Sequence, residues 1–420
     1  MSEVVLDSVQ VQEPKGPMML ETLRDWLEAA PKGREDALEI CLRRIRARDP
    51  KIRAWVQVAP QKPIAEGPLY LVPFGVKDVI ETEGLVTEFG SPVYKGRKGT
   101  ADAVLVRELR RRGAVLVGKT QTAAFAYRAP TPTRNPHNLW RTPGGSSSGS
   151  AAAIAAGTVP FALGTQTCGS ILRPASYCGV TGFKPSYGLL SVEGILPLAE
   201  SLDTAGFFTH TAEDMRLLWE CLGYPVGPDE TLPLGVPEPV LVVDRKMEKA
   251  FQRSVARLLE AGFSIRPVRI DTLLGQTDAA SKVVMNYEAA RTHQRRFEKH
   301  GSRLGPLADL VRRGMPIPTH QYQQAKESIL RIKREMAKVF ETTPVILTPA
   351  ATRAAPLRLA SSGDPRMNTP WTALGTPAIS IPMPVGKGLP LGLQLTADHG
   401  HDAKLLQAAV RLEKVLRQWA

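Results

Sequence analysis

Between Thr142 and Gly188 the chain carries little bulk: TPGGSSSGSAAAIAAGTVPFALGTQTCGSILRPASYCGVTGFKPSYG sets two Gly/Ser loops around a run of small residues. Small side chains let backbone amides approach a ligand, and N–H groups gathered where a helix follows a glycine loop stabilise negative charge. A phosphate-cradling loop would need Gly-x-x-x-x-Gly-Lys-Ser/Thr, and no lysine follows Gly149 or Gly169. An oxyanion hole fits better. Acyl transfer from an amide requires a nucleophile, a group to take its proton, and donors aimed at the developing oxyanion. Ser170 is the candidate nucleophile, and the backbone N–H groups of Thr167, Cys168 and Gly169 just before it are the candidate donors.

The usual base for a serine nucleophile is histidine. Here His137 lies in an Asn-Pro-His-Asn turn, His293 and His300 in a charged helical stretch, and His399 and His401 in a polar loop. The nucleophile-elbow pattern Gly-x-Ser-x-Gly fits only Ser147, and the segment before it, Asn-Leu-Trp-Arg-Thr-Pro-Gly, reads as loop where an elbow requires a strand. A lysine base is left. Lys77 closes the apolar run Leu71-Val72-Pro73-Phe74-Gly75-Val76. Desolvation there would favour the neutral amine; alternatively the long stem carries the ammonium to solvent from a strand end. Residue types alone leave both readings open.

These residues need elements to hold them. Leu38, Cys41, Leu42 and Ile45 mark one face of an amphipathic helix expected to stop before Pro50. Apolar strand-like runs then alternate with helical patterns: Tyr70–Val76, a helix over Asp102–Arg112, and Ala114–Val117. The rhythm returns as a strand at Val240–Val243, a helix over Lys246–Ala261 and a strand at Phe263–Ile270. Buried strands at Pro344–Thr348, Ala378–Pro382 and Leu391–Leu395 precede a closing helix over Asp402–Trp419. Residues 271–342 read as a charged helical region broken at Gly-Met-Pro-Ile-Pro, 314–318. With no linker or repeat, one α/β domain over residues 19–420 is expected, behind a loose tail at 1–18.

Hydrophobic residues at 43% and charged ones at 23% exclude a disordered or fibrous chain. The net charge of +13 calls for a test of nucleic-acid binding. The basic residues are diffuse: Arg110-Arg111-Arg112, Arg295-Arg296 and Arg312-Arg313 fall in helical stretches with acids nearby, and no nucleic-acid motif accompanies them. Four cysteines without CxxC spacing, an acidic N-terminus, and an Ala-rich stretch interrupted by Gly157 and Pro160 lead to a cytoplasmic expectation, without membrane insertion.

Three motifs in order resemble the amidase signature hydrolases: Pro73-Phe74-Gly75-Val76-Lys77-Asp78, Gly144-Gly145-Ser146-Ser147-Ser148-Gly149-Ser150, and the nucleophile loop Gly164–Gly179. The resemblance runs from about Leu20 to Trp419, with late strands in Ala373–Pro382 and Leu389–Gln394. It implies a mixed central β-sheet covered by helices on both faces, no metal and no organic cofactor. By the same resemblance Lys77 is the catalytic lysine, Ser146 a bridging serine on a cis peptide bond, and Ser170 the residue acylated by a small amide substrate. The family usually has Asp-Thr-Gly-Gly-Ser-Ile-Arg, whereas this chain has Gln166-Thr167-Cys168-Gly169-Ser170-Ile171-Leu172-Arg173, moving the arginine by one. That shift, with Thr87–Tyr94, is similar to malonamidase-type members, in which this arginine holds a substrate carboxylate. A fork of two charge-assisted hydrogen bonds suits that role for Arg173; a structural ion pair is the competing one.

Cys168, in place of the usual glycine, is a second candidate nucleophile, although a thiolate would want a histidine or comparable base nearby. Cys178 reads as a small buried hydrophobe. Other readings are the glutamine-hydrolysing component of a tRNA-dependent amidotransferase and a silent amidase-like binding protein. For assembly a homodimer is expected, with no nucleic-acid or membrane partner.

Overall fold

The computed structural model describes residues 20–239, 241–357, 359, 361–386 and 388–418. The tail expected at residues 1–18 lies outside them. Eleven strands form one sheet: β1 (Trp55–Gln61), β2 (Pro73–Lys77), β3 (Val115–Thr120), β4 (Phe161–Gln166), β5 (Thr181–Lys184), β6 (Thr204–Thr209), β7 (Leu234–Pro237), β8 (Ile265–Val268), β9 (Val345–Pro349), β10 (Ala378–Pro382) and β11 (Gly392–Thr396). Their spatial order is β1-β3-β2-β4-β6-β5-β10-β11-β9-β7-β8. β3-β2-β4 and β9-β7-β8 run parallel within their groups, and the remaining neighbours are antiparallel. This is the mixed, helix-covered sheet expected from the sequence.

Every residue of β2, β3 and β4 is buried, as continuous apolar strands require when both faces are covered. Phe74 and Phe161 stack across β2 and β4, ring centroids 5.3 Å apart. Parallel pairing of Phe74 with Phe161 and Val76 with Leu163 puts Lys77 beside the C-terminal end of β4. The expected small-residue helix is Ser148–Ala155, buried through Ile154. Gly149 is required there: a Cβ would lie 2.2 Å from the Gln121 amide nitrogen and 2.3 Å from the Ala54 carbonyl oxygen.

Residues 271–342 form helices at Asp271–His300, Pro306–Gly314 and Thr319–Thr342, with the break at the Gly/Pro segment. Two expectations differ from the structure. The first long helix, Pro31–Ile52, runs through Pro50. Pro50 sits in the last turn, buried Ile52 anchors the end, and Arg53 closes it at φ 56° with its N–H donated to Asp49 O at 2.7 Å. The proline removes one N–H from the ladder near its end, and the turn beyond it is held by buried Ile52 and the Arg53 N–H. The strand expected at Val240–Val243 is not found: Val240 lies outside the described residues and 241–243 are irregular, with Val242 79% exposed. The pairing edge is instead β7, where Gly235 makes room for Thr343.

Candidate active site

Lys77 ends β2 with none of its surface exposed. Its amine donates to Ser146 Oγ at 2.7 Å and to Thr165 Oγ1 at 2.7 Å. Burial holds its pKa well below the ordinary lysine range, with the charge of Asp203 pulling partly back. Of the two readings open from the sequence, the amine is the buried one; no path to solvent is taken.

Ser146 follows a cis Gly145–Ser146 peptide bond. Its carbonyl accepts from Ala123 N at 3.1 Å and Ser148 N at 2.9 Å, which fixes the loop against the next helix. Ser147, the residue matching the elbow pattern, is fully buried and donates to Thr165 O at 3.2 Å, so it serves to tie the loop to β4.

Ser170 lies in the turn between β4 and the helix Leu172–Cys178. Gln166 shapes that turn: its Oε1 accepts from Ile171 N at 2.8 Å and Leu172 N at 3.1 Å, while its Nε2 donates to Thr372 Oγ1 at 2.9 Å. Among the described residues, the backbone N–H groups of Thr167, Cys168 and Gly169 donate to no protein acceptor, so they remain available to an anion. Gly169 cannot be larger, since a Cβ would lie 2.4 Å from Asn368 Oδ1. Thr167 Oγ1 donates to Asp203 Oδ1 at 2.5 Å, and burial raises the Asp203 pKa to about 6.

Ser146, Thr167, Cys168, Ser170 and Arg173 all line one narrow cavity of about 40 Å³. No hydrogen bond joins Ser170 Oγ to Ser146 Oγ among the described residues; what they share is the cavity and the contact of Ser147 N with Ser170 O at 3.3 Å. The narrow cavity opens into a vestibule of about 670 Å³, and Arg128, Cys168, Met285, Ser362, Gly363 and Pro365 border both.

Arg173 is buried and, among the described residues, has no carboxylate partner of a structural ion pair. Nε donates to Ser362 O at 2.6 Å and Nη2 to Gly145 O at 2.5 Å, while Nη1 is buried with no partner. The guanidinium thus braces the Ser146 loop, and its residue lines the cavity with one buried nitrogen unpartnered among the described residues. Cys168 packs its sulfur 3.5 Å from Met285 Sδ, and burial pushes its thiol up to about 11, unlike the low-pKa thiol of a cysteine nucleophile. No histidine among the described residues lines either cavity: His137 bonds Cys178 O at 2.9 Å, and buried His293 is held down to about 3 by desolvation and Arg296. Among the described residues no group of three or more His, Cys, Asp or Glu could hold a metal ion.

Sequence reasoning missed Thr165, Asp203 and Arg128. Thr165 comes to Lys77 through the parallel register of β2 and β4, one residue past the position opposite Lys77, which the sequence does not specify. Asp203 is contributed by the segment before β6 and Arg128 by a loop; neither carries a local signal.

A family model described as Amidase matches residues 36–233 and 226–406. The chain is 29% identical to a glutamyl-tRNA(Gln) amidotransferase subunit of Halothermothrix orenii, over 95% of this chain and 97% of that protein. It is 32% identical to the protein of the same name from Lysinibacillus sphaericus, over 83% of each. The solved structure of the corresponding Thermotoga maritima protein matches at a TM-score of 0.82 and 27% identity, covering 94% of both chains. A crystal structure described as an amidase matches at 0.84 and 28%, covering 95% of this chain and all of the other.

Proposed function

Since the chain belongs to the amidase family, we propose that it hydrolyses a small amide bearing a carboxylate, through Ser170, Ser146 and Lys77 and a covalent acyl-enzyme. The observation that carries this reading is the Lys77 amine, stripped of solvent and 2.7 Å from the hydroxyl of a serine that shares a cavity with Ser170.

Substrate binding has to bring Ser170 Oγ within hydrogen-bond reach of Ser146 Oγ. The Ser170 proton then passes to Ser146 while the Ser146 proton passes to Lys77, and Ser170 Oγ bonds to the amide carbon. The oxyanion meets the N–H groups of Thr167, Cys168 and Gly169; losing one such donor costs about 3 kcal/mol. The C–N bond breaks as Lys77, through Ser146, returns a proton to the leaving nitrogen. Water adds to the ester by the same relay, releasing the acid and restoring Ser170. Arg173, which lines the same cavity and has no carboxylate partner among the described residues, is the group that takes the substrate carboxylate in this reading.

The names of the relatives favour a second reading, the glutamine-hydrolysing component of a tRNA-dependent amidotransferase. Glutamine is itself a carboxylate-bearing amide, so the two readings share the site and differ in partners and in the fate of ammonia. The arginine shifted to Arg173, with Gln166 in the loop, weighs for the first. Ammonia release from primary amides with and without a second carboxylate, glutamine included, tests both in wild type, Ser170→Ala and Arg173→Ala. Turnover lost in Ser170→Ala, with carboxylate selectivity lost in Arg173→Ala, is the expected result. Equal selectivity in wild type and Arg173→Ala removes Arg173 from the site, and glutamine hydrolysis only with added partner proteins favours the second reading.

A further inference from the structure

The vestibule outside the narrow cavity has an unbalanced charge. Its walls include Arg128, Lys282, Arg366, Asp278 and Asp364. Both acids are already paired with neighbouring cations: Lys282 with Asp278 at 2.6 Å and Arg366 with Asp364 at 2.7 Å. Arg128 has no such partner. Among the described residues it makes no hydrogen bond or ion pair, and its guanidinium lies 5.6 Å from the Tyr127 ring centroid.

Its backbone is set for this position. Phe125, Ala126 and Arg128 all have left-handed φ values, 54°, 58° and 43°, which non-glycine residues adopt rarely. Phe125 N is bonded to Phe89 O at 2.8 Å, which anchors the loop from inside. Arg128 borders the vestibule and the narrow cavity together, so it stands where a group leaving Ser170 would exit. Arg173, which also has no carboxylate partner among the described residues, lines the narrow cavity together with Ser170.

Resting on the amidase reading above, we propose that Arg128 is a specificity residue that binds an anionic group on the leaving amine. The substrate class is then an amide with two anionic groups, one on the acyl part facing Arg173 and one on the amine part facing Arg128. A vestibule of about 670 Å³ has room for such an amine, which ammonia as leaving group would not fill.

The test compares two N-substituted amides of one dicarboxylic acid, the amine part being glycine in one and propylamine in the other, with amine release as the readout. Wild type is expected to favour the glycine amide in kcat/KM by about tenfold or more, the worth of one charge-assisted hydrogen bond. Arg128→Gln brings the ratio toward one through KM, and Arg128→Lys, which keeps the charge, restores part of it. Matching melting curves for the three proteins exclude misfolding. Equal kcat/KM for the two amides in wild type, or an undiminished ratio in folded Arg128→Gln, overturns the proposal while the hydrolase reading stands. If wild type releases no more amine than Ser170→Ala from any amide, the hydrolase reading fails and this proposal with it.

Discussion

An amine as enclosed as that of Lys77 would be expected to have a carboxylate bonded to it if it were charged, yet its nearest partners are the hydroxyls of Ser146 and Thr165. The neutral form is the one that such a setting favours and the one that a base needs. Because kcat/KM requires that form, it is expected to rise with pH through the lowered pKa of Lys77 and then level off. Lys77→Ala is expected to lose about 10³-fold or more in kcat/KM together with that acid limb. Lys77→Arg, permanently charged, gives no rescue. A pH–rate profile settles it: an acid limb unchanged in a partly active Lys77→Ala would assign the titration elsewhere. Cys168 offers the opposite case. With its thiol pushed up to about 11 by burial, Cys168→Ala is expected to keep turning substrate over with an altered KM, whereas Ser170→Ala does not. Loss in the cysteine variant alone would reverse those roles.

At the scale of elements, the loop that carries Ser170 is held by one side chain more than by its own backbone. Gln166 Oε1 takes the first two N–H groups after the serine, and Gln166→Leu would leave both without a partner in a buried setting. Each unsatisfied N–H costs about 1–3 kcal/mol. The variant is therefore expected to melt several degrees lower and to lose kcat, as read by thermal unfolding and steady-state kinetics; wild-type values for both would show that the loop holds its shape unaided. Sequence patterning served β2 and β3 well, since both are buried throughout and begin in the apolar runs Pro73–Val76 and Val115–Val117. It failed at residues 241–243, which are irregular with Val242 exposed, while Leu-Gly-Val-Pro, a weak strand by composition, pairs with β8 and β9. There the partner strands, and the space that Gly235 leaves, outweigh propensity.

Over the whole molecule, charge is distributed in two ways. On the surface, pairs such as Lys282–Asp278, Arg312–Asp309 and Lys338–Glu335 lace helices, as the diffuse basic runs of the sequence implied. Inside, Lys77, Lys119 and Lys184 are fully buried. Burial lowers the Lys184 pKa from 10.5 to about 7, with Asp402 pulling it back and Lys333 lowering it further. Between pH 7 and 10.5 the unfolded chain therefore binds a proton at this lysine that the folded chain does not, so this group makes stability rise with pH across that window and adds no slope below it. The contribution is at most about 1.4 kcal/mol per pH unit. Lys184→Met is expected to flatten the rise by that amount, measured by denaturant unfolding at stepped pH. An unchanged slope would show that Lys184 is charged in the fold.

The sequence by itself determined the alternation of strands and helices, the two small-residue loops, and the resemblance that singled out Lys77, Ser146 and Ser170, because periodicity, glycine spacing and short motifs are local properties. Tertiary structure decided what those residues experience. Whether Lys77 is buried or solvated depends on the strands that close over it, and Thr165 and Asp203 reach it only through β4 pairing with β2 and β6. Likewise the spare donor of Arg173 and the unpaired Arg128 emerge from backbone carbonyls and carboxylates hundreds of residues away in some cases, such as Ser362 and Asp364. Desolvation and charge balance are sums over neighbours in space, and a linear pattern does not specify those neighbours.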